Sequence, residues 1–183
     1  KVVDGETITG EIVAENDGLY YYANGKTVAA GLIELDRGYY FADVGGKIVT
    51  GRKYVWRTNG LLPEGSYTFD TTGKMLGAAV EDGIVVSGEI VEIDGTRYYY
   101  KNGNPTPAGL VEVDGYFYFA GLEGKIATGR SYVWKNNGIL PMDNYQFGAD
   151  GKMLGMRSEN GEIVVGEIVN ENGGMYYYER GKT

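Results

Sequence analysis

Cysteine and histidine are both absent from the 183 residues, and proline occurs only four times. Without cysteine there is no disulfide framework, thiolate nucleophile, iron–sulfur cluster or Cys-ligated zinc. Without histidine there is no imidazole base, no His-dependent triad and no His-ligated metal. A catalyst here would have to be built from carboxylates, Tyr, Lys or Ser/Thr. No apolar run approaches the roughly 20 residues of a membrane helix, so membrane insertion is not expected. Basic residues are also short: 17 Lys and Arg face 25 Asp and Glu, for a net charge of −8. Phosphate backbones attract basic surfaces, so nucleic acid is not an expected partner, and anionic membranes are disfavoured. Neutral polymers and cations are easier partners. Helices have little room: the longest stretches free of Gly and Pro are the eight residues 52–59 and 130–137. A mean helix runs about 11–12 residues, and an interior Gly costs about 1 kcal/mol.

What is present is glycine and tyrosine. There are 31 Gly, 17 Tyr, 5 Phe and 2 Trp. Glycine stands at more than twice its usual level of about 7%. It does not recur every third residue, which excludes collagen. Hydrophobic residues make up 43% of the chain, enough to build a core. Between the glycines lie short β-branched and aromatic runs such as EIV, YYY, YYF, YVW and GIVV, which predict strands. Asn24-Gly25, Asn59-Gly60, Asn102-Gly103, Asn137-Gly138, Asp94-Gly95, Asp114-Gly115 and Asp150-Gly151 are type I′ hairpin signals.

The chain repeats itself. Asp4-Gly5 returns as Asp82-Gly83 and as Asn160-Gly161, and Tyr20–Tyr22 returns as Tyr98–Tyr100 and Tyr176–Tyr178. The offset is always 78, and residues 4–81 and 82–159 align without a gap at about half identity. Residues 160–183 form a partial third copy. Within each copy an aromatic strand, a turn and a Gly-Lys pair recur. A lone hairpin is marginal, so neighbours must cover its face. The expectation is an all-β, elongated, solenoid-like array of tandem hairpins whose open repeat ends offer surfaces for self-association.

In a strand, residues i and i+2 share a face. The outer triplet positions are Tyr20/Tyr22, Tyr39/Phe41, Tyr67/Phe69, Tyr98/Tyr100, Phe117/Phe119 and Tyr145/Phe147, all aromatic, and they predict the buried face. The middle positions include Thr68 and Gln146, which predicts a wet face carrying Tyr21, Tyr40, Tyr99, Tyr118 and Tyr177. Those tyrosines read either as cross-strand packing or as a ligand-stacking ladder.

Strand–turn units such as DGTRYYYKNGNPTPAGLVEVDGYFYFAGLEGKIATG resemble the cell-wall-binding repeats of Gram-positive bacteria. That superfamily includes choline-binding, streptococcal glucan-binding and clostridial-toxin carbohydrate-binding repeats. The likeness covers residues 17–51 and 95–129. It implies an extracellular β-hairpin solenoid at the bacterial cell surface that attaches a larger protein to cell-wall polymer or extracellular polysaccharide. Choline-binding repeats carry two tryptophans in nearly every short repeat; this chain has one per 78 residues, Trp56 and Trp134.

Two blocks are candidate ligand sites. Gly51-Arg52-Lys53-Tyr54-Val55-Trp56 returns as Gly129-Arg130-Ser131-Tyr132-Val133-Trp134, with Asn59 and Asn137 close by. Sugar rings stack on exposed aromatic faces, and Arg or Asn can bond hydroxyls. The same residues also read as a core Trp covering adjacent hairpins, or as a cation–π site for a quaternary ammonium. Glu11, Glu89 and Glu167, with Glu34 and Glu112, could pair for glycoside hydrolysis. Repetition at a fixed offset favours solvated strand charges that block edge pairing. No D-x-D-x-D-G calcium loop occurs, and no metal or cofactor is expected. The reading is a non-enzymatic binding module, with a passive stalk as the alternative.

Overall fold

A computed structural model describes residues 10–82 and 84–183, with the backbone of Val2–Val3 and Glu6–Thr7. Asp4-Gly5, where the first repeat opens, and Gly83 lie outside the described residues. Among the described residues the only helical segments are two single 3-10 turns, Val44–Gly46 and Leu122–Gly124. Everything else regular is a short antiparallel strand.

The strands form hairpins in sequence order. The chain divides into two units, residues 1–88 with 101–104, and residues 89–100 with 105–183. In the first unit Glu11–Glu15 pairs with Gly18–Ala23, and Gly31–Leu35 with Gly38–Ala42. Gly51–Val55 pairs with Gly65–Phe69, and Ala79–Glu81 with Ile84–Ser87. In the second unit Glu89–Ile93 pairs with Thr96–Lys101, Gly109–Val113 with Tyr116–Ala120, and Gly129–Tyr132 with Asn144–Phe147. Met156–Glu159 with Glu162–Val165 and Glu167–Glu171 with Gly174–Tyr178 complete it.

The turn chemistry explains the tight hairpins and corrects three sequence expectations. Asp94-Gly95 and Asp114-Gly115 each close a two-residue hairpin with φ of 49°/73° and 49°/77°. Positive φ at both central residues is what a type I′ turn requires. Asn59-Gly60 and Asn137-Gly138 also have positive φ, but they sit inside the long connections 56–64 and 133–143 rather than at hairpin tips. Asp150-Gly151 differs as well. Only Gly151 is left-handed, at φ 84°, and its N–H donates to Gly148 O at 3.0 Å.

Consecutive hairpins are stapled by the segment after each Gly-Lys pair. Met75 N–H donates to Tyr39 O on the preceding hairpin at 2.8 Å, while Leu76 N–H donates to Thr68 O on its own hairpin at 3.0 Å. Met153 and Leu154 repeat this on Phe117 O and Gln146 O, at 2.8 and 3.0 Å. Each fold is then clasped by a turn from the next copy. Thr68 N–H donates to Gly103 O and Gln146 N–H to Gly181 O, both at 2.8 Å. Only glycine fits there. A Cβ on Gly103, at φ +68°, would stand 2.8 Å from Tyr67 Cβ, and one on Gly181 2.9 Å from Tyr145 Cβ.

Ten of the twelve outer aromatic positions are buried; Tyr20 and Tyr98 are intermediate. Leu32, Tyr39, Phe41, Val55, Tyr67, Phe69, Met75 and Val80 form the first core. Leu110, Phe117, Phe119, Val133, Tyr145, Phe147, Met153 and Met156 form its counterpart.

The middle face is wet at Tyr177, which is 58% exposed, and is corrected at Tyr99 and Tyr118. Tyr99 and Tyr118 are 7% and 8% exposed and pack with Ala120 and Ile126 in a further cluster. Ile90, Ala108, Val111 and Val113 cover them. Both faces of these hairpins are covered, so alternation along the strand does not separate core from solvent.

Candidate functional site

The two Arg-x-Tyr-x-Trp blocks occupy the first strand of the third hairpin in each copy, Gly51–Val55 and Gly129–Tyr132, and run just beyond it. Strand alternation sends Val55 and Val133 inward, both at 0% exposure. Arg52, Tyr54 and Trp56, and Arg130, Tyr132 and Trp134, therefore share the opposite face. That face is open. Tyr54 and Trp56 are 54% and 51% exposed, Tyr132 and Trp134 53% and 43%, and both arginines are exposed.

Each indole is half-seated. Trp56 meets Phe41 edge-on, with centroids 6.3 Å apart and planes at 89°. Trp134 meets Phe119 in the same way, at 5.8 Å and 81°. Such a contact contributes about 0.5–1.5 kcal/mol and fixes the ring. An aromatic surface held before a ligand arrives loses little side-chain entropy on binding. The register adds neighbours that spacing along the chain does not reveal. Thr68 lies opposite Arg52 and Ser66 opposite Tyr54; Gln146 lies opposite Arg130 and Asn144 opposite Tyr132. Directly paired residues share a face. The loop between the strands hides this pairing in the sequence.

The asparagines have a different job. Asn59 Nδ2 donates to Ala30 O at 2.7 Å and Leu32 O at 2.8 Å. Asn137 Nδ2 donates to Ala108 O at 2.8 Å and Leu110 O at 2.7 Å. Both amide hydrogens are thereby engaged in tying the long connection to the preceding hairpin. Arg52 Nη1 donates to Asn104 Oδ1 at 3.4 Å.

Beside Arg130 a cleft of about 300 Å³ opens, lined also by Asp143, Asn144, Gln146, Tyr178 and Lys182. Lys182 pairs with Asp143 and lies 5.2 Å from the centroid of Tyr145. Its hydrogen bond holds the Asp143 carboxyl below the usual carboxylate range. Asp143 and Lys182 stand where the preceding copy has Gly65 and Asn104. Unlike pairs at equal offset were the available signal for this cleft.

The remaining candidates separate. Tyr21 and Tyr40 are half-buried, and Tyr40 lines a shallow cavity of about 630 Å³ with Glu11, Ile12, Leu19, Asp36 and Thr72. Burial pushes the Tyr40 and Tyr118 hydroxyls above the ordinary tyrosine range. Tyr99 and Tyr118, buried as described, offer no face to a ligand. Glu11, Glu34, Glu89, Glu112 and Glu167 are all exposed. Among the described residues no helix is long and apolar enough to cross a membrane.

No family model matches the chain. Glucosyltransferase-I of Streptococcus downei is 25% identical over 191 residues, an alignment covering 96% of this chain and 11% of that protein. The chain thus spans about a tenth of the length of that curated relative. Among solved structures, choline binding protein F from Streptococcus pneumoniae is 20% identical with a TM-score of 0.35, covering 96% of this chain and 72% of that one. The modular autolysin LytC from the same organism, in complex with a synthetic peptidoglycan ligand, is 15% identical with a TM-score of 0.43, covering 96% and 39%. Alternansucrase in complex with isomaltononaose is 20% identical with a TM-score of 0.30, covering 93% and 15%.

Proposed function

We propose that this chain, an all-β hairpin array resembling the cell-wall-binding and glucan-binding repeats of Gram-positive bacteria, is a non-catalytic module that binds cell-wall polymer or extracellular polysaccharide. The observation that carries this reading is the pair of open Arg-x-Tyr-x-Trp faces at Arg52/Tyr54/Trp56 and Arg130/Tyr132/Trp134. Large aromatic surface left in water, twice and in the same setting, is what a stacking platform needs. The arginines and the Ser66, Thr68, Asn144 and Gln146 side chains surround the rings with partners for hydroxyl groups. The 25% identity to a stretch of a glucosyltransferase supports a saccharide polymer as the ligand. That this stretch is 11% of the relative supports a part played within a larger extracellular protein, which the module would hold to a polymer surface.

Two binding faces on one chain suit a polymer. A second contact on the same strand becomes intramolecular, so weak single contacts add up to firm retention. The test is co-sedimentation with purified Gram-positive walls and with insoluble α-glucan, with and without soluble competing sugar. Retention that soluble sugar displaces is the expected result. Retention on neither polymer overturns the reading and assigns the array the role of a passive spacer.

A further inference from the structure

The two copies diverge at one place in particular. Gly38, Thr72, Ala78 and Ala79 of the first copy stand where the second has Tyr116, Asp150, Met156 and Arg157. These four residues come from three segments, yet all line a single cavity of about 300 Å³ in the second unit, with Lys152 and Glu167. In the first unit Lys74 lies so close over Gly38 that an added Cβ would be 2.5 Å from its Cε. In the second unit Lys152 instead rests on the Tyr116 ring, 4.0 Å from its centroid, and 3.3 Å from Asp150 Oδ2. Tyr116 pairs directly with Arg157 across the two hairpins. Arg157 Nε lies 2.6 Å from Glu159 Oε1, and Glu167 Oε2 accepts the Gly155 N–H at 3.0 Å.

The lining selects among ligands. The lining balances two cations, Lys152 and Arg157, against two carboxylates, Asp150 and Glu167, and Glu159 pairs with Arg157 beside it, so the wall has no net charge to hold an anion. An organic cation would have to displace Lys152 from the ring face it already covers. Met153 and Met156 supply an apolar floor, and the rim offers both donors and acceptors. A hydroxyl group both donates and accepts, and a sugar ring has an apolar C–H face. The volume is at the lower end of ligand pockets, which run from about 300 Å³ upward. We infer that this cavity is a subsite for one neutral pyranose residue of a glycan, built from side chains that the first unit does not carry at the equivalent positions. The inference rests on the glycan-binding reading and adds a site outside the Trp faces.

The test is an NMR titration of the full chain with isomaltotriose, N-acetylglucosamine and inorganic phosphate, run beside the polymer co-sedimentation. One of the two sugars is expected to shift the amide signals of Tyr116, Asp150–Arg157 and Glu167 saturably, with one site per chain. Arg157→Ala and Arg157→Gln should each weaken that binding at least about tenfold, the loss expected for a charged hydrogen bond, while retention on insoluble polymer persists through the Trp faces. Shifts confined to residues 52–56 and 130–134, unchanged affinity in both Arg157 variants, or tighter binding of phosphate than of either sugar overturns the subsite. Wild-type retention on polymer without pocket shifts overturns the subsite alone. Loss of both overturns the glycan reading as well.

Discussion

Phe41 is wholly buried and meets the edge of Trp56, whose own ring stands half in solvent. The same pairing of a core ring with an open indole recurs at Phe119 and Trp134. The contact anchors each indole without hiding it. Trp56→Ala combined with Trp134→Ala should therefore abolish polymer retention while the chain stays folded. Each substitution gives up an edge contact of about 0.5–1.5 kcal/mol plus partial burial, which a cooperative domain of roughly 5–15 kcal/mol tolerates. Circular dichroism and sedimentation together check this; unfolding of the double variant would place the indoles among the structural core.

Asn59 and Asn137 should behave in the opposite way. Their amides bridge pairs of backbone carbonyls, so replacement by Ala strands the part-buried oxygens of Leu32 and Leu110. Urea denaturation should show a loss of about 1–3 kcal/mol for either variant, with glycan retention per folded molecule unchanged. A retention defect without a stability defect would restore the asparagines to the ligand site.

Gly103→Ala and Gly181→Ala probe the clasp between copies. Both positions have positive φ, at 68° and 71°, and both face a tyrosine Cβ closer than 3.0 Å. The left-handed backbone alone costs an alanine roughly 1–2 kcal/mol. The steric overlap adds to it. Each variant should lose more than about 2 kcal/mol in thermal or urea unfolding, the scale of a strained and overpacked site. A near-neutral Gly181→Ala would mean that the turn at 180–181 is not held against Tyr145.

Tyr178 gives an alkaline signature. Its hydroxyl donates to Glu171, and that hydrogen bond, followed by burial, pushes its pKa up to about 12. The protonated phenol is the form that the fold favours. Its contribution is thus complete below the unfolded value near 10 and is lost as pH rises through about 12. Titration by tyrosinate absorbance should show one fewer late-ionising tyrosine in Tyr178→Phe than in the wild type. The variant should also lose less stability than the wild type between pH 10 and 12. Identical titration curves would refute the pairing with Glu171.

Much of the fold could be read from residue types. The outer aromatics formed the core because a strand places large rings at i and i+2 on one face, where a neighbouring hairpin covers them together. Asp94-Gly95 and Asp114-Gly115 turned where their tolerance of positive φ allowed. The offset of 78 reappears in hydrogen bonds, with Asn59 and Asn137 making the same pairs of contacts. What escaped was long-range. Tyr99 and Tyr118 look like wet-face residues until Ala120 and Ile126 are seen against them. The asparagines look like ligand residues until their carbonyl partners, 27 and 29 positions earlier, are known. The cavity at Tyr116 needs Arg157 and Glu167 brought to it from other hairpins. Strand periodicity reports which side a residue faces, and nothing about what arrives to cover that side.

The clasp made by Gly103 on Thr68 and by Gly181 on Gln146 sets the covalent period out of step with the period of folding. A copy counted from its Asp-Gly or Asn-Gly start ends at residue 81 or 159, but the backbone partners that close it come from residues 101–104 or 179–182. A fragment cut at the sequence boundary would therefore leave the Thr68 N–H and the Tyr67 ring unroofed, whereas one carried through Asn104 would be closed. Such staggering makes the unit of stability overlap the unit of sequence: each copy is completed by the opening hairpin of the one after it.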